Sequence, residues 1–314
     1  MIGPLVPVID LGDSPEAVAA QIGAACEQIG FFQIVGHGVA ADVIDGVWKA
    51  TRAFFEEPAA VRTAVAMPSP GYPYGYAGFE AEKLASSLGD DTPPDRKQTF
   101  SIGPIHPPAH EPTDDDEQWI RSPNRWPVTP AGFRAALETY YDALAELSAR
   151  LLSHMADALG LAGDYFEPMI DQHTSALRCL DYPSLTMPPL PGQLRAGAHT
   201  DYGTLTILRT AGGATGLETQ SPAAEWVAID AEPDGFVVNL GDSLAQWTND
   251  RWRSTVHRVV ETPGAARRTS IAFFHNANWD AVIECLPGLG PAKHAPVRAG
   301  RHLMHKFQRT VAST

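Results

Sequence analysis

Three cysteines in 314 residues, Cys26, Cys179 and Cys285, are too few and too scattered for a disulfide framework, and no CxxC pair is present to hold zinc. They read as reduced thiols in a reducing compartment. Positive charge is also scarce: 23 Lys and Arg stand against 37 Asp and Glu, giving a net charge of -14 and a pI near 5.1. Such a surface repels a nucleic-acid backbone or an anionic membrane, so neither is expected as a partner. Long apolar runs are missing as well. No stretch approaches the ~18 consecutive apolar residues of a spanning helix, and Met1-Ile2-Gly3-Pro4-Leu5-Val6-Pro7 lacks the charged start and apolar centre of a signal peptide. The expectation is a soluble, cytoplasmic protein. What is present is 44% hydrophobic content, enough for one large core.

The front half has mixed periodicity. Val6 to Leu11 reads as a strand, and Ser14 to Ile29 as a helix opened by Ser-Pro, with Val18, Ile22, Cys26 and Ile29 on one face. Gly30 to Val39 is a second strand ended by a glycine-rich turn, in which His37 is expected to bond to backbone. Helices follow at about Ala41 to Phe55 and Pro58 to Val65. Pro, Gly and Tyr crowd the stretch from Met67 to Pro112, a long loop of the kind that is usually functional or disordered. Arg96 to Ile102 reads as a strand leaving it. The acidic run Asp114-Asp115-Asp116-Glu117 reads as a solvated patch. The longest helix, Ala131 to Leu159, carries Phe133, Leu137, Tyr140, Leu144, Leu147, Leu151 and Met155 at helical spacing and stops at Gly160.

After that the period shortens. Ser175 to Tyr182, Thr204 to Arg209, Leu217 to Thr219, Trp226 to Ile229, Phe236 to Leu240, Ser254 to Val260 and Thr269 to His275 are short runs separated by turn residues. Many short strands of this kind indicate a sandwich or barrel, of which the jelly roll is one form. A closing helix near Val297 to Thr310 puts Leu303, Met304 and Phe307 inward. The reading is a mainly β fold with helices: a double-stranded β-helix (jelly-roll) core flanked by helices. Its regions are residues 1–120 (N-terminal), 121–170 (spine helix), 171–280 (core) and 281–314 (C-terminal helix), all in one compact unit.

The chemistry centres on His199-Thr200-Asp201. In an extended segment, positions two apart share a face, so an imidazole and a carboxylate point the same way. His257, 56 residues after the aspartate, supplies a third donor. Two imidazoles and one carboxylate on one facet of an octahedral ion leave the opposite positions open, the mark of non-haem Fe(II) oxygenases. A His-x-acid triplet arises by chance roughly once in a chain of this composition, so the neighbourhood has to carry the reading. Further on, Arg268 and Ser270 share a strand face, with Ile271 and Phe273 on the other. An inward arginine needs a carboxylate, and a bound acid would serve. Arg267, next door, reads as a surface arginine.

Taken together, several ordered motifs closely resemble the Fe(II)- and 2-oxoglutarate-dependent dioxygenases of the isopenicillin N synthase-like superfamily. They are His199-Thr200-Asp201-Tyr202-Gly203, Asn239-Leu240-Gly241-Asp242, Trp247-Thr248-Asn249, Ser254-Thr255-Val256-His257-Arg258-Val259, and Arg268-Thr269-Ser270 with Phe273-Phe274. Val6-Pro7-Val8-Ile9-Asp10-Leu11 and Gly30 to Val39 look like that family's N-terminal region. The resemblance implies that His199, Asp201 and His257 hold Fe(II), and that Arg268 and Ser270 grip the distal carboxylate of 2-oxoglutarate. Tyr182 matches a family tyrosine that helps hold this cosubstrate. Leu180 departs from the pattern, since the family commonly has Asn there. A pocket for a small-molecule substrate is expected from Arg178, Tyr74, Tyr76, Phe100 and Phe274. The implied reaction uses dioxygen, converts 2-oxoglutarate to succinate, and hydroxylates, desaturates or cyclises the substrate. Two rivals share the fold: an Fe(II) oxidase that needs no 2-oxoglutarate, and an ethylene-forming type. A non-catalytic barrel binding a small acid or zinc is the rival outside enzymes.

Overall fold

The structure is a computed structural model, and it describes residues 5–311 apart from 70, 109, 185, 186, 212 and 262–265. The chain opens with strand β1 (Val8–Asp10), helix α1 (Pro15–Gln28) and strand β2 (Phe31–Val35). The Ser14 hydroxyl caps α1 by accepting the Ala17 amide at 3.3 Å, and Val18, Ile22 and Cys26 are buried as their spacing predicts. Helices α2 (Ala41–Glu56) and α3 (Ala59–Ala64) follow. The tyrosine-rich loop contains strand β3 (Gly75–Ala77) and a 3-10 turn at Leu84–Leu88, neither visible in its Pro- and Gly-rich composition, and ends in β4 (Gln98–Ile102).

The acidic run is not simply a solvated patch. Asp114 caps a short helix, α4 (Asp115–Ile120), by accepting the Glu117 amide at 2.7 Å. Glu117 itself is buried, bonded by Thr113 and paired with Arg121. The spine is α5 (Phe133–Ala158), whose buried stripe runs from Phe133 through Leu144 to Met155. A short helix, α6 (Glu167–Ile170), leads into the strands of the core.

Those strands are β5 (Ala176–Tyr182), β6 (Ala196–His199), β7 (Leu205–Thr210), β8 (Gly213–Gln220), β9 (Trp226–Ala231) and β10 (Phe236–Leu240); after helix α7 (Asp242–Trp247) come β11 (His257–Val259) and β12 (Arg268–His275). The strand expected from Ser254 begins only at His257. A small hairpin, β13 (Val282–Ile283) with β14 (Val297–Arg298), precedes the final helix α8 (Ala299–Val311). Two sheets form the jelly roll: an eight-stranded one ordered β1-β2-β10-β7-β12-β5-β4-β3, and a four-stranded one ordered β6-β11-β8-β9. The central pairs of the large sheet, including β12 with β5 and with β7, are antiparallel.

Strand alternation divides the core in two. On the outer face of the large sheet, Leu177, Cys179, Ile207, Ile271 and Phe273 pack against Phe54, Leu137, Tyr141 and Leu144 of α2 and α5. On the inner face, Leu180, Tyr182, Val237 and Ala272 meet Ala196, Leu217, Ile229 and Val259 of the small sheet. Ala272 lies on the same face as Arg268 and Ser270, so both of these point between the sheets.

Candidate active site

His199 ends β6 and His257 begins β11, and the two are direct partners across the small sheet. Their ring centroids are 4.3 Å apart. Asp201 follows two residues after His199. Its carboxylate lies 3.9 Å from each histidine Nε2, and one donor atom from each of the three residues falls within 4.8 Å of the other two.

Hydrogen bonds fix what these donors present. His199 Nδ1–H donates to the Gly197 carbonyl at 2.7 Å, and His257 Nδ1–H donates to the Thr255 carbonyl at 3.1 Å. The tautomers are thereby set, and both Nε2 lone pairs face the carboxylate. Asp201 Oδ2 accepts from the Thr206 hydroxyl at 2.6 Å and from Asn239 Nδ2 at 2.7 Å, leaving Oδ1 open. Thr206 and Asn239 are register partners on β7 and β10. Burial, then the neighbouring imidazole of His257, pushes the pKa of His199 down to about 3. Burial alone would raise that of Asp201, but His257, His199, Asn239 and Thr206 hold it below the usual carboxylate value. The result is two imidazole nitrogens and a carboxylate converging on one point, the donor set that a divalent cation satisfies.

The segment carrying Asp201 is locked by close backbone packing. The Asp242 amide donates to the Asp201 carbonyl at 2.8 Å, and the Gly241 amide to the Thr204 carbonyl at 2.8 Å. A Cβ on Gly241 would lie 2.2 Å from the Gly203 carbonyl oxygen, so only glycine permits this approach. From the C-terminal helix, Lys306 pairs with Asp242 at 2.7 Å.

Arg268 and Ser270 lie on the inner face of β12, with Tyr182 of β5 opposite Arg268. The guanidinium carbon is 4.7 Å from the centroid of the Tyr182 ring. Burial lowers the Arg268 pKa, the Tyr182 phenol opposes this, and the nearby charge of Arg195 adds to it. Arg268 Nε, Nη1 and Nη2 and Ser270 Oγ are buried and make no well-formed hydrogen bond to a described residue; the Tyr182 phenol is the polar group beside the guanidinium, and no described carboxylate pairs with it.

The residues expected around a substrate separate into two groups. Arg178 shares the inner face with Leu180 and Tyr182; its Nε donates to Ser101 Oγ at 3.0 Å, and its Nη1 lies 3.4 Å from Glu82. Phe274 is half-buried against the inner cluster. Tyr74, Tyr76 and Phe100 go elsewhere. Phe100 and Tyr76 are register partners on the outer face, where both meet Phe54. Tyr74 is buried against Ile120, Trp279 and Met304, donating its hydroxyl to the Ile120 carbonyl at 2.6 Å. Arg267 is likewise not a free surface arginine: it pairs with buried Asp181 at 2.7 Å and with Glu56 at 3.2 Å.

Residues 6–129 match the family model described as the N-terminal region of non-haem dioxygenases in morphine synthesis, and residues 172–277 match that of the 2OG-Fe(II) oxygenase superfamily. The 2-oxoglutarate-dependent dioxygenase caaD of Aspergillus niger is 33% identical over 286 residues, covering 86% of this chain and 84% of that one. This chain belongs to the 2OG-Fe(II) oxygenase superfamily. The oxygenase is also 31% identical over 299 residues to homoarginine-6-hydroxylase 2-ODD-233 of Oryza sativa subsp. japonica, covering 92% and 88% of the two chains. Its fold is similar to that of a full-length Neurospora crassa protein solved in complex with alpha-KG, with a TM-score of 0.84, 30% identity, and coverage of 98% and 96%. The same Neurospora crassa protein has also been solved with alpha-KG and thymine. The oxygenase is thus a non-haem iron enzyme dependent on Fe(II) and 2-oxoglutarate, with a His-Asp-His site that could bind the iron. Among its described residues no helix is long and apolar enough to cross a membrane.

Outside the site, one buried and one half-buried histidine give the oxygenase an acid sensitivity of its own. Burial lowers the pKa of His173 to about 4, with His106 adding to the shift, and pushes that of His275 well below its ordinary value. In unfolded chain both rings titrate near the ordinary histidine value of about 6.5. Below that pH the unfolded state binds more protons, so stability falls as pH drops toward the folded values. Metal-free protein should lose urea resistance between about pH 6.5 and pH 4, each ring contributing at most about 1.4 kcal/mol per pH unit. A His275→Gln variant should show a shallower acid limb; an identical slope would remove His275 as a cause.

Proposed function

We propose that Arg268 and Ser270 clasp the distal carboxylate of 2-oxoglutarate, with the Tyr182 ring against the guanidinium, so that the keto-acid end reaches His199, Asp201 and His257. A small organic substrate is then oxidised on the side lined by Arg178 and Phe274. One observation carries this reading: Arg268, only 7% exposed, has the Tyr182 phenol beside it but pairs with no carboxylate of a described residue. Leaving a charge buried and unpaired costs several kcal/mol, so the arginine is one half of an ion pair whose other half is a ligand. The planar fork meets both oxygens of a carboxylate, and the Ser270 hydroxyl supplies a further donor. Leu180, apolar where the family commonly has Asn, leaves the grip to the arginine, the serine and the tyrosine.

His199 and His257 would hold Fe(II) through Nε2 and Asp201 through Oδ1, while Thr206 and Asn239 keep the other carboxylate oxygen occupied. When bound, the iron supplies oxidative decarboxylation of 2-oxoglutarate to succinate coupled to oxidation of the substrate. The protein supplies placement: the clasp sets the reach of the cosubstrate, and the apolar part of the inner faces, Leu180, Val237 and Ala272 against Leu217 and Val259, excludes water. Binding of 2-oxopentanoate, which has a methyl in place of the distal carboxylate, tests the clasp. Measured anaerobically on the iron-loaded enzyme, it should bind at least about 100-fold more weakly than 2-oxoglutarate, the loss expected for two charge-assisted hydrogen bonds. Equal affinity would mean that Arg268 serves something else.

A further inference from the structure

Behind His199 lies a chain of polar contacts that sequence reading did not single out. The Gly197 carbonyl that takes His199 Nδ1–H belongs to a residue whose own amide donates to Asp95 Oδ1 at 2.9 Å. Asp95 is 1% exposed, and its second oxygen accepts Lys97 Nζ at 2.5 Å and the Leu84 amide at 3.2 Å. Lys97 is equally buried and also lies 3.3 Å from Glu82, which in turn meets Arg178 at 3.4 Å. The strand has no slack at this point. A Cβ on Gly197 would come within 2.8 Å of the Ala85 amide nitrogen, so β6 and the 3-10 turn lie against each other with Asp95 bonded to both.

We infer that Asp95 is a positioning residue for the metal centre: it pins the strand that carries His199 through the Gly197 amide, and it cancels the charge of Lys97, buried in the same chain of contacts. The two tasks use different oxygens of one carboxylate. Lys97 is held in its charged form, since Asp95 and Glu82 more than offset the burial that works against it. Its ammonium is bonded to the same carboxylate that holds Gly197, so without Asp95 a cation arriving at Nε2 would meet a less compensated buried charge behind the site. Hydrogen-bonded supports behind a ligand histidine set its ring orientation and basicity, and their loss typically costs about 10- to 100-fold in metal affinity. The inference rests on the His-Asp-His centre and is independent of the proposed role of Arg268.

The test is Co(II) titrated anaerobically into the metal-free full-length protein, followed by calorimetry and by the visible spectrum of the bound ion. Asp95→Ala should weaken Co(II) binding about 10- to 100-fold and alter the spectrum. Asp95→Asn keeps an acceptor for Gly197 but not the charge, and should fall between this variant and the parent. Adding Lys97→Met to Asp95→Asn removes the uncompensated ammonium and should bring affinity back toward the parent. Melting temperatures separate positioning from packing, because a purely structural carboxylate would lower stability while leaving the affinity and spectrum of the folded protein unchanged. Parent-like affinity and spectrum in a folded Asp95→Ala protein would overturn the inference. If that variant does not fold, parent-like affinity in Asp95→Asn would do so. No recovery in the double variant would overturn the charge-cancelling half.

Discussion

Replacing either His199 or His257 with alanine is expected to abolish turnover and to reduce iron binding by more than the roughly 10- to 100-fold that loss of an outer hydrogen-bond partner costs. Each substitution removes one of three converging acceptors, and the two left cannot define a facet of an octahedral ion. The fold should survive. Each Nε2 lies 3.9 Å from the Asp201 carboxylate, too far for a hydrogen bond, so neither ring makes an Nε2 contact of this kind that the core depends on. Near-UV circular dichroism and the urea midpoint check the fold; anaerobic Fe(II) titration and succinate release check the chemistry. Turnover retained in either variant would strike that residue from the ligand set.

Arg268→Gln should raise the KM for 2-oxoglutarate by about 100-fold or more, because two charge-assisted hydrogen bonds at about 1.5–3 kcal/mol each are replaced by weaker neutral ones. At saturating cosubstrate kcat should change far less, since the clasp acts on placement and lies away from the reacting end. Stability should move the opposite way. In protein without cosubstrate the guanidinium is a buried charge that no carboxylate of a described residue balances, and a neutral amide removes that burden, so the variant should melt higher than the parent when both are empty. Adding 2-oxoglutarate should then stabilise the parent more than the variant. Arg268→Lys should fall between them, because an ammonium keeps the charge but not the fork. An unchanged KM together with an unchanged empty-state melting temperature would move the cosubstrate carboxylate to another partner.

How much of this was legible in the sequence depended on whether the signal was local. Helix α1 announced itself by Ser14 and Pro15, and α5 by a stripe whose spacing survives unchanged in the structure. The jelly roll followed from many short strands, and the division of β12 into Arg268 and Ser270 on one face and Ile271 and Phe273 on the other needed only the pleat. His37 too behaves as its turn suggested, accepting from the Val39 amide at 3.1 Å and bonding the Asp234 carbonyl at 3.1 Å.

Alternation in a sequence cannot say which face is which when both faces of a strand are buried. Every residue of β4 is buried. Phe100 therefore packs on the outer, helix-covered face while its neighbours Thr99 and Ser101 take the inner one, and Tyr76, paired with it, goes the same way. Residues acting through long-range contacts were equally hidden. Thr206 and Asn239 support Asp201 only because β7 and β10 are neighbours, and Asp95 reaches Gly197 across 102 positions. Asn239 lay inside a motif, yet nothing local gave it a task. Asp181, which turned Arg267 from a solvent-facing arginine into a paired one, was likewise invisible until β5 and β12 came together.

The ownership of the three metal donors has a mechanical consequence. His199 and His257 belong to the four-stranded sheet, whereas the carboxylate of Asp201 is held by Thr206 and Asn239 of the eight-stranded sheet. An ion gripped by all three therefore stitches one leaf of the sandwich to the other at its open edge, and withdrawing it unpicks that seam. Bound iron would then add a cross-link between the two sheets to the apolar packing that already joins them.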